Sequence, residues 1–173
     1  NRLLDFDIQP IFVPQNVHYT YKVTDREDNK APTLSDWNFK EWDKALDKFM
    51  IDRQVPWLSI WHTNGHVMHF LRLNNGITYS IKPNPDNDHW KQLPEQEYFS
   101  LWGNYFDTLA EHLHEKGYLD KTLFIIDESQ SYTYDIMLKM KREFKKHTFA
   151  SRIKFVHTGQ QTAAYTKQKE DGS

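Results

Sequence analysis

Apolar residues recur at helical spacing in three stretches of the chain. Residues 36–52, 98–116 and 132–146 each repeat apolar side chains every three or four positions, a pattern that predicts three amphipathic helices. Ser35 is the predicted N-cap of the first helix, and Gly117 is the predicted glycine that ends the second. The apolar positions of the three helices are Phe39, Trp42, Leu46, Phe49 and Met50; Phe99, Trp102, Tyr105, Phe106, Leu109 and Leu113; and Tyr134, Met137, Met140 and Phe144.

Short apolar runs lie between these helices and predict four strands. They cover residues 3–13, 55–61, 122–126 and 152–157. The central runs are apolar without alternation, as expected for parallel strands that are covered on both faces. Because strands alternate with helices, the sequence predicts an α/β fold. Four parallel strands and three helices amount to about half of a (β/α)8 TIM-type barrel, and an open doubly wound sheet is the alternative.

The stretch 62–97 interrupts this alternation and is predicted to be a long inserted loop. Within it, HVMHFLRL and ITYSIK flank Asn75-Gly76, which predicts a β-hairpin closed by a two-residue type I′ turn. We expect residues 1–173 to form a single α/β segment, with a polar tail at 166–173. The tryptophans expected in the core, because they lie in periodic stretches, are Trp37, Trp42, Trp57 and Trp102.

Composition narrows the range of functions. The 173 residues carry a formal net charge of −2, so no global basic field attracts nucleic acid. The chain contains no cysteine, which excludes disulfides, thiolate metal sites and a cysteine nucleophile. No run approaches the ~18 apolar residues of a membrane span. Because the chain begins at Asn1 rather than Met, we expect either a removed leader or a longer protein, and a secreted or periplasmic location is favoured.

Two adjacent carboxylates, Asp127 and Glu128, follow the apolar run LFII at the end of a predicted strand. In parallel α/β folds, functional residues collect at the carboxyl ends of the strands. Trp61, His62 and His157 are predicted to end two other strands at the same edge. Each histidine alone could simply end a strand. Two neighbouring carboxylates repel each other and cost desolvation, so the pair requires a functional reason.

Three chemical explanations compete for the acidic pair. An apolar strand ending in Asp-Glu is typical of the Mg²⁺-binding element of NTPases, but none of the six glycines precedes a lysine, so the phosphate loop is missing. A metal site could use Asp127, Glu128, His62 and His157, but no His-x-His or His-Glu-x-x-His element accompanies them. Glycoside hydrolysis normally takes its two carboxylates from different strands, whereas an adjacent pair suits the substrate-assisted exception.

Residues 98–130 run from an aromatic helix through HLHEKGYLDK to a strand ending in Asp-Glu, and they resemble the catalytic domain of glycoside hydrolase family 123. Residues 35–61 look like an earlier barrel unit of the same family. The resemblance implies a (β/α)8 barrel of retaining, exo-acting N-acetyl-β-galactosaminidases that use the substrate's acetamide group and no metal or other cofactor. It also implies that Asp127 orients the acetamide and that Glu128 is the acid/base. Relatives often have proline after the pair, where this chain has Ser129.

The partner that the resemblance implies is a glycan with a terminal N-acetylhexosamine. The side chains expected to contact it are Trp61, His62, Tyr132 and His157. Half a barrel leaves strand edges uncovered, so we expect either the remainder of a barrel or self-association. The alternative hypothesis is a non-catalytic carbohydrate-binding or assembly module on the same scaffold.

Overall fold

The computed structural model describes residues 19–26, 29–64, 70–127 and 134–158, without the side chains of 59–64, 125–127, 134 and 156–158. The predicted strand at 3–13 lies outside these residues. In chain order the strands and helices are β1 (Thr20–Thr24), β2 (Thr33–Asn38), α1 (Lys40–Asp47), a π-helical turn (Lys48–Asp52), β3 (Leu58–Asn64), β4 (Phe70–Arg72), β5 (Thr78–Ser80), β6 (Trp90–Gln92), α2 (Glu95–Glu115), a 3-10 turn (Leu119–Lys121), β7 (Thr122–Asp127), α3 (Tyr134–Phe144), a second 3-10 turn (Ala150–Arg152) and β8 (Lys154–Thr158).

The central sheet consists of three parallel strands in the order β3, β7, β8. Helix α2 precedes β7 and helix α3 precedes β8, so each strand lies beside the one that follows it across a helical connection. The predicted alternation of strands and helices is confirmed here, and the fold is mixed α/β. Sequential neighbours of this kind are the usual product of βαβ units.

The core between this sheet and its helices is aromatic. Phe106 of α2 packs edge-on against Phe124 of β7, with ring centroids 5.5 Å apart. Its ring also lies 5.2 Å from that of Phe144 in α3 and 5.9 Å from that of Phe155 in β8. Phe106 therefore contacts both the parallel sheet and helix α3. Helices α2 and α3 cover this face of the sheet. The buried residues of α2 are Tyr98, Phe99, Leu101, Trp102, Gly103, Tyr105, Phe106, Leu109, Ala110 and Leu113.

Helix α2 ends as its sequence predicts. Gly117 has a φ of +75°, in the left-handed conformation that glycine adopts without a Cβ penalty. Its N–H donates to the carbonyl of His114, and the N–H of Tyr118 donates to that of Leu113. These two bonds form a Schellman motif, which satisfies carbonyls that the helix end leaves without intrahelical partners.

Hydrogen bonds join the connection between α3 and β8 to the middle of α2. The carboxylate of Asp107 accepts hydrogen bonds from the backbone N–H groups of Phe149 and Ala150, both at 2.8 Å. One turn earlier on the same face of α2, Gly103 leaves space for the ring of His147. These contacts hold the connection between α3 and β8 against α2.

The inserted stretch contains a second sheet, in the order β4, β5, β6. Its β4 and β5 form the predicted antiparallel hairpin, but the predicted type I′ turn is wrong. The N–H of Gly76 donates to the carbonyl of Leu73, and the N–H of Leu73 donates to that of Ile77, so the loop has three residues. Asn75 is not among the described residues with positive φ, and Gly76 alone is left-handed, as in a type I turn followed by a bulge. Strand β6, parallel to β5, was not predicted.

The first predicted helix begins later than its sequence pattern indicates. Residues 33–38 form β2, which pairs with β1 in an antiparallel hairpin, and α1 starts at Lys40. Ser35, the predicted N-cap, therefore lies in a strand, and Asp36 has a φ of 52° at an irregularity in the pairing. Asn38 provides the side-chain oxygen that accepts the N–H of Lys40. Strand pairing has overridden the local helical signal.

An aromatic cluster explains why this hairpin forms. Tyr21 of β1 lies against Trp37 of β2, with ring centroids 4.3 Å apart. Tyr19 contacts both Trp42 of α1 and Tyr105 of α2, and its hydroxyl is hydrogen-bonded to that of Tyr105. Burial raises the pKa of the Tyr19 hydroxyl above its ordinary value. The hairpin thus covers the junction of α1 and α2.

The tryptophans expected in the core divide into two groups. Trp42 and Trp102 are buried, and Trp37 is half-buried within the aromatic cluster. Trp57 is 45% exposed, so the prediction for this residue is wrong. It precedes β3, which begins at Leu58 rather than at residue 55, and its ring lies beneath the ammonium group of Lys154 at 5.2 Å.

Candidate active site

Asp127 is the last residue of β7, the central strand of the parallel sheet. The residues that follow it lie outside the described part of the chain, so the prediction that the strand ends here stays a prediction. Glu128 and Tyr132 lie outside the described residues, so their predicted roles stay predictions. Trp61 and His62 lie within β3, and His157 is the penultimate residue of β8.

The pairing of the three strands defines which backbone positions meet at the carboxyl edge. Asp127 is paired on one side with Asn64 of β3 and on the other with Thr158 of β8. These three positions form one row across the sheet, which we call the terminal row. The row lies at the carboxyl edge of the described part of the sheet, the edge where parallel sheets place their functional residues.

The predicted substrate-contacting residues lie close to the terminal row without belonging to it. Trp61 is paired with Ile125, and His157 is paired with Ile126. His62 falls at an irregularity of β3, because the pairing skips from Trp61 to Thr63. The structure therefore brings the backbones of β3, β7 and β8 together at this edge, while the contacts of these side chains with substrate stay predictions.

Sequence reasoning missed two residues of the terminal row, Asn64 and Thr158. The predicted strands stopped at residues 61 and 157, short of both. The irregularity at His62 also moves Asn64 by one position relative to β7. The extra residue of such a β-bulge leaves no mark in the pattern of apolar and polar residues from which the strands were predicted.

Titratable side chains also cluster where α1 meets the last turns of α2. His112 Nε2 lies 2.6 Å from Asp43 Oδ1, and Lys116 Nζ lies 2.9 Å from Asp47 Oδ1. The hydroxyl of Tyr118 donates to Asp47 at 2.9 Å, and burial together with this carboxylate raises the pKa of Tyr118 to about 12. This end of α2 leads into the start of β7 rather than its carboxyl end, so the cluster joins helices and is separate from the terminal row.

Within the described ranges, no group of three or more histidine, aspartate or glutamate residues could hold a metal ion. Over the same part of the chain, none of the helices has the length and apolarity needed to cross a bilayer.

A family model for the catalytic domain of glycoside hydrolase 123 matches residues 16–171. The chain belongs to glycoside hydrolase family 123. The match extends over β3, β7 and β8 and includes every residue of the terminal row. The resemblance seen in residues 98–130 is thus confirmed over most of the chain.

Among solved structures, this family 123 chain is similar to a family 123 glycoside hydrolase from Clostridium perfringens that was studied for glycolipid glycan hydrolysis. The two sequences are 15% identical, and the TM-score is 0.47. The similarity covers 80% of this chain and 23% of the other, so the chain spans less than a quarter of that relative. A comparison with curated protein sequences finds no match.

Proposed function

We propose that this chain carries the catalytic carboxylates of a retaining glycosidase that removes terminal β-linked N-acetylgalactosamine, or a related N-acetylhexosamine, from glycans. The observation that supports this function most is the position of Asp127. It is the last described residue of the central strand of a parallel sheet, within a region matched by the family 123 catalytic domain. The carboxyl ends of parallel strands are where such folds place their chemistry.

The proposed mechanism uses the substrate's own acetamide group as the nucleophile. The acetamide carbonyl oxygen attacks the anomeric carbon, and the bond from that carbon to the leaving oxygen breaks. Asp127 accepts a hydrogen bond from the acetamide N–H and stabilises the positive charge of the oxazolinium that forms. Glu128 gives its proton to the leaving oxygen and then takes one from the water that opens the intermediate. Two inversions at the same carbon retain the β configuration.

The architecture that best accommodates this mechanism is a (β/α)8 barrel of which this chain supplies about half. Sequential parallel order of β3, β7 and β8 supports that proposal. Within the described residues, β3 and β8 each pair on one side, so further strands could add at either edge. Those strands would come from the remainder of a barrel or from a second copy. Sedimentation of the chain as a dilute monomer that binds no hydrophobic dye would contradict this.

Four side chains are proposed to contact the sugar, as aromatic platforms or hydrogen-bonding groups. They are Trp61, His62, Tyr132 and His157. For Trp61, His62 and His157 the support is the position of β3 and β8 beside β7. Trp61 lies two rows before Asp127, and His157 lies one row before it.

The proposed function is tested by replacing each carboxylate in the natural full-length protein and measuring hydrolysis of aryl β-N-acetylgalactosaminides. Glu128→Gln removes the proton donor and is expected to lower kcat/KM by about 10²- to 10⁴-fold. The decrease in kcat/KM of Glu128→Gln should be smaller for a substrate with a dinitrophenyl leaving group, because this group departs without being protonated. Asp127→Asn should lower the rate for both leaving groups, because it acts on the acetamide. Unchanged turnover in both variants would refute the assignment.

The acetamide itself provides a matched control on the substrate side. The corresponding aryl β-galactoside lacks the internal nucleophile and should not be cleaved. A galacto-configured thiazoline, which resembles the oxazoline intermediate, should inhibit competitively. Equal cleavage of both substrates, or sugar binding without any hydrolysis, would exclude substrate-assisted catalysis.

A further inference from the structure

The terminal row contains two polar residues that the proposed mechanism does not use. Asn64 precedes Asp127 in the row, and Thr158 follows it. Both are the last described residues of their strands. In the strand pairing, position 127 is therefore flanked on each side by a short, neutral residue of a type that can donate and accept hydrogen bonds.

A bulge in β3 is what aligns Asn64 with Asp127. The pairing of β3 with β7 is regular from Leu58 to Trp61, skips His62, and resumes at Thr63. Without this extra residue, Thr63 would be level with Asp127. Bulges are found next to active sites, where they change which residue reaches a given position.

Resting on the function proposed above, we propose that Asn64 and Thr158 are substrate-binding residues that flank the acetamide-orienting Asp127. The ligand class is a sugar with a 2-acetamido group and free neighbouring hydroxyls, which present donors and acceptors together. Uncharged residues such as asparagine and threonine are suitable neighbours for Asp127. A lysine or arginine at either place would pair with Asp127 and lower its capacity to accept the acetamide N–H.

The test is kinetic and uses the aryl β-N-acetylgalactosaminide with the full-length protein. Asn64→Ala and Thr158→Val each remove the hydrogen-bonding groups and should lower kcat/KM by about five- to tenfold, the usual effect of one neutral hydrogen bond. Thr158→Ser retains the hydroxyl and should restore most of the rate. Thr63→Val is the matched control, because Thr63 is adjacent in β3 but lies in the row of Ile126. It should leave kcat/KM within about twofold of the wild-type value.

A second variant provides a readout that a loss of packing does not produce. Asn64→Asp preserves shape and adds a negative charge beside Asp127, which raises the pKa of that carboxyl. The acidic limb of the kcat/KM profile should therefore shift to higher pH, while that of Thr63→Val stays in place.

The outcomes separate the two proposals. If the wild-type protein cleaves the substrate while Asn64→Ala and Thr158→Val retain its kinetics, the assignment of these residues is overturned and the proposed function stands. An equal loss in Thr63→Val, or an unshifted profile in Asn64→Asp, also overturns it. If the wild-type protein cleaves no N-acetylhexosaminide, the proposed function fails and takes this inference with it.

Discussion

Gly103→Ala is expected to destabilise the protein even though alanine is the better helix former. Gly103 lies inside α2, where the change to alanine alone would contribute about 0.8–1.0 kcal/mol of stability. A Cβ built there would approach Nε2 of His147 closer than 3.0 Å and would lie 3.1 Å from Cγ of Glu143. One of these side chains must move.

The ring of His147 has little room to do so. Its side chain is 16% exposed, and its nitrogens lie 3.7 Å from carboxylate oxygens of Asp107 and Glu143. Overpacking of a filled site costs about 1–3 kcal/mol. Subtracting the helical gain leaves a net loss of roughly 1 kcal/mol, which urea unfolding should detect as a lower midpoint at constant slope.

A double-mutant cycle makes the reasoning refutable. In a His147→Ala background the obstructing ring is gone, so Gly103→Ala should now stabilise by about 1 kcal/mol. The sign of the effect reverses, and the coupling free energy is about 2 kcal/mol. A stabilising effect of Gly103→Ala in the wild-type background, or the same sign in both backgrounds, would show that His147 does not limit this position.

Three further changes test other parts of the fold. Gly117→Ala should lower the free energy of unfolding by about 1 kcal/mol, because alanine is strained at this left-handed position; no change in the urea midpoint would contradict the Schellman ending. Asp107→Ala leaves two backbone N–H groups without their acceptor and should lower the free energy of unfolding by about 1–3 kcal/mol in the same assay. Asp107→Asn keeps an acceptor oxygen and should lose less. Equal losses in the two variants would argue against a role for these hydrogen bonds. The pKa of Tyr118 is raised to about 12 in the folded protein. The contribution of its protonated hydroxyl to the free energy of unfolding is therefore complete below the unfolded pKa of ~10 and is lost as pH rises through 12. Tyr118→Phe should therefore reduce the fall of Tm between about pH 9 and 12, and an unaltered slope would refute this.

Helices and strands with a strong apolar pattern of their own could be predicted from the sequence. Those that form only through contacts with residues distant in the chain could not. Helix α2 begins three residues before its predicted start and ends one before its predicted end, because ten of its residues follow one buried pattern. The hairpin of β1 and β2 was missed, since it depends on Tyr19 and Tyr21 meeting rings of α1 and α2. Strand β6 has three residues and owes its form to pairing with β5.

The candidate site divides in the same way. Asp127 was predictable because an apolar run followed by carboxylates marks a strand end, and HLHEKGYLDK resembles the family. Asn64 was not, because its place beside Asp127 depends on the bulge at His62. The pairing register depends on both strands, so it cannot be predicted from the sequence of either strand alone.

The spacing of the paired strands along the chain bears on the order in which the sheet assembles. Leu58 pairs with Thr122, whereas Leu123 pairs with Lys154, so joining β3 to β7 closes about twice as much chain as joining β7 to β8. For a flexible chain, that doubling costs only about 0.6 kcal/mol of entropy. Nevertheless, the closer pair is expected to form first, with β3 added to a preformed β7–β8 unit. Asn64 would then reach Asp127 in the last step of folding, and destabilising changes in β3 should act mainly on the unfolding rate.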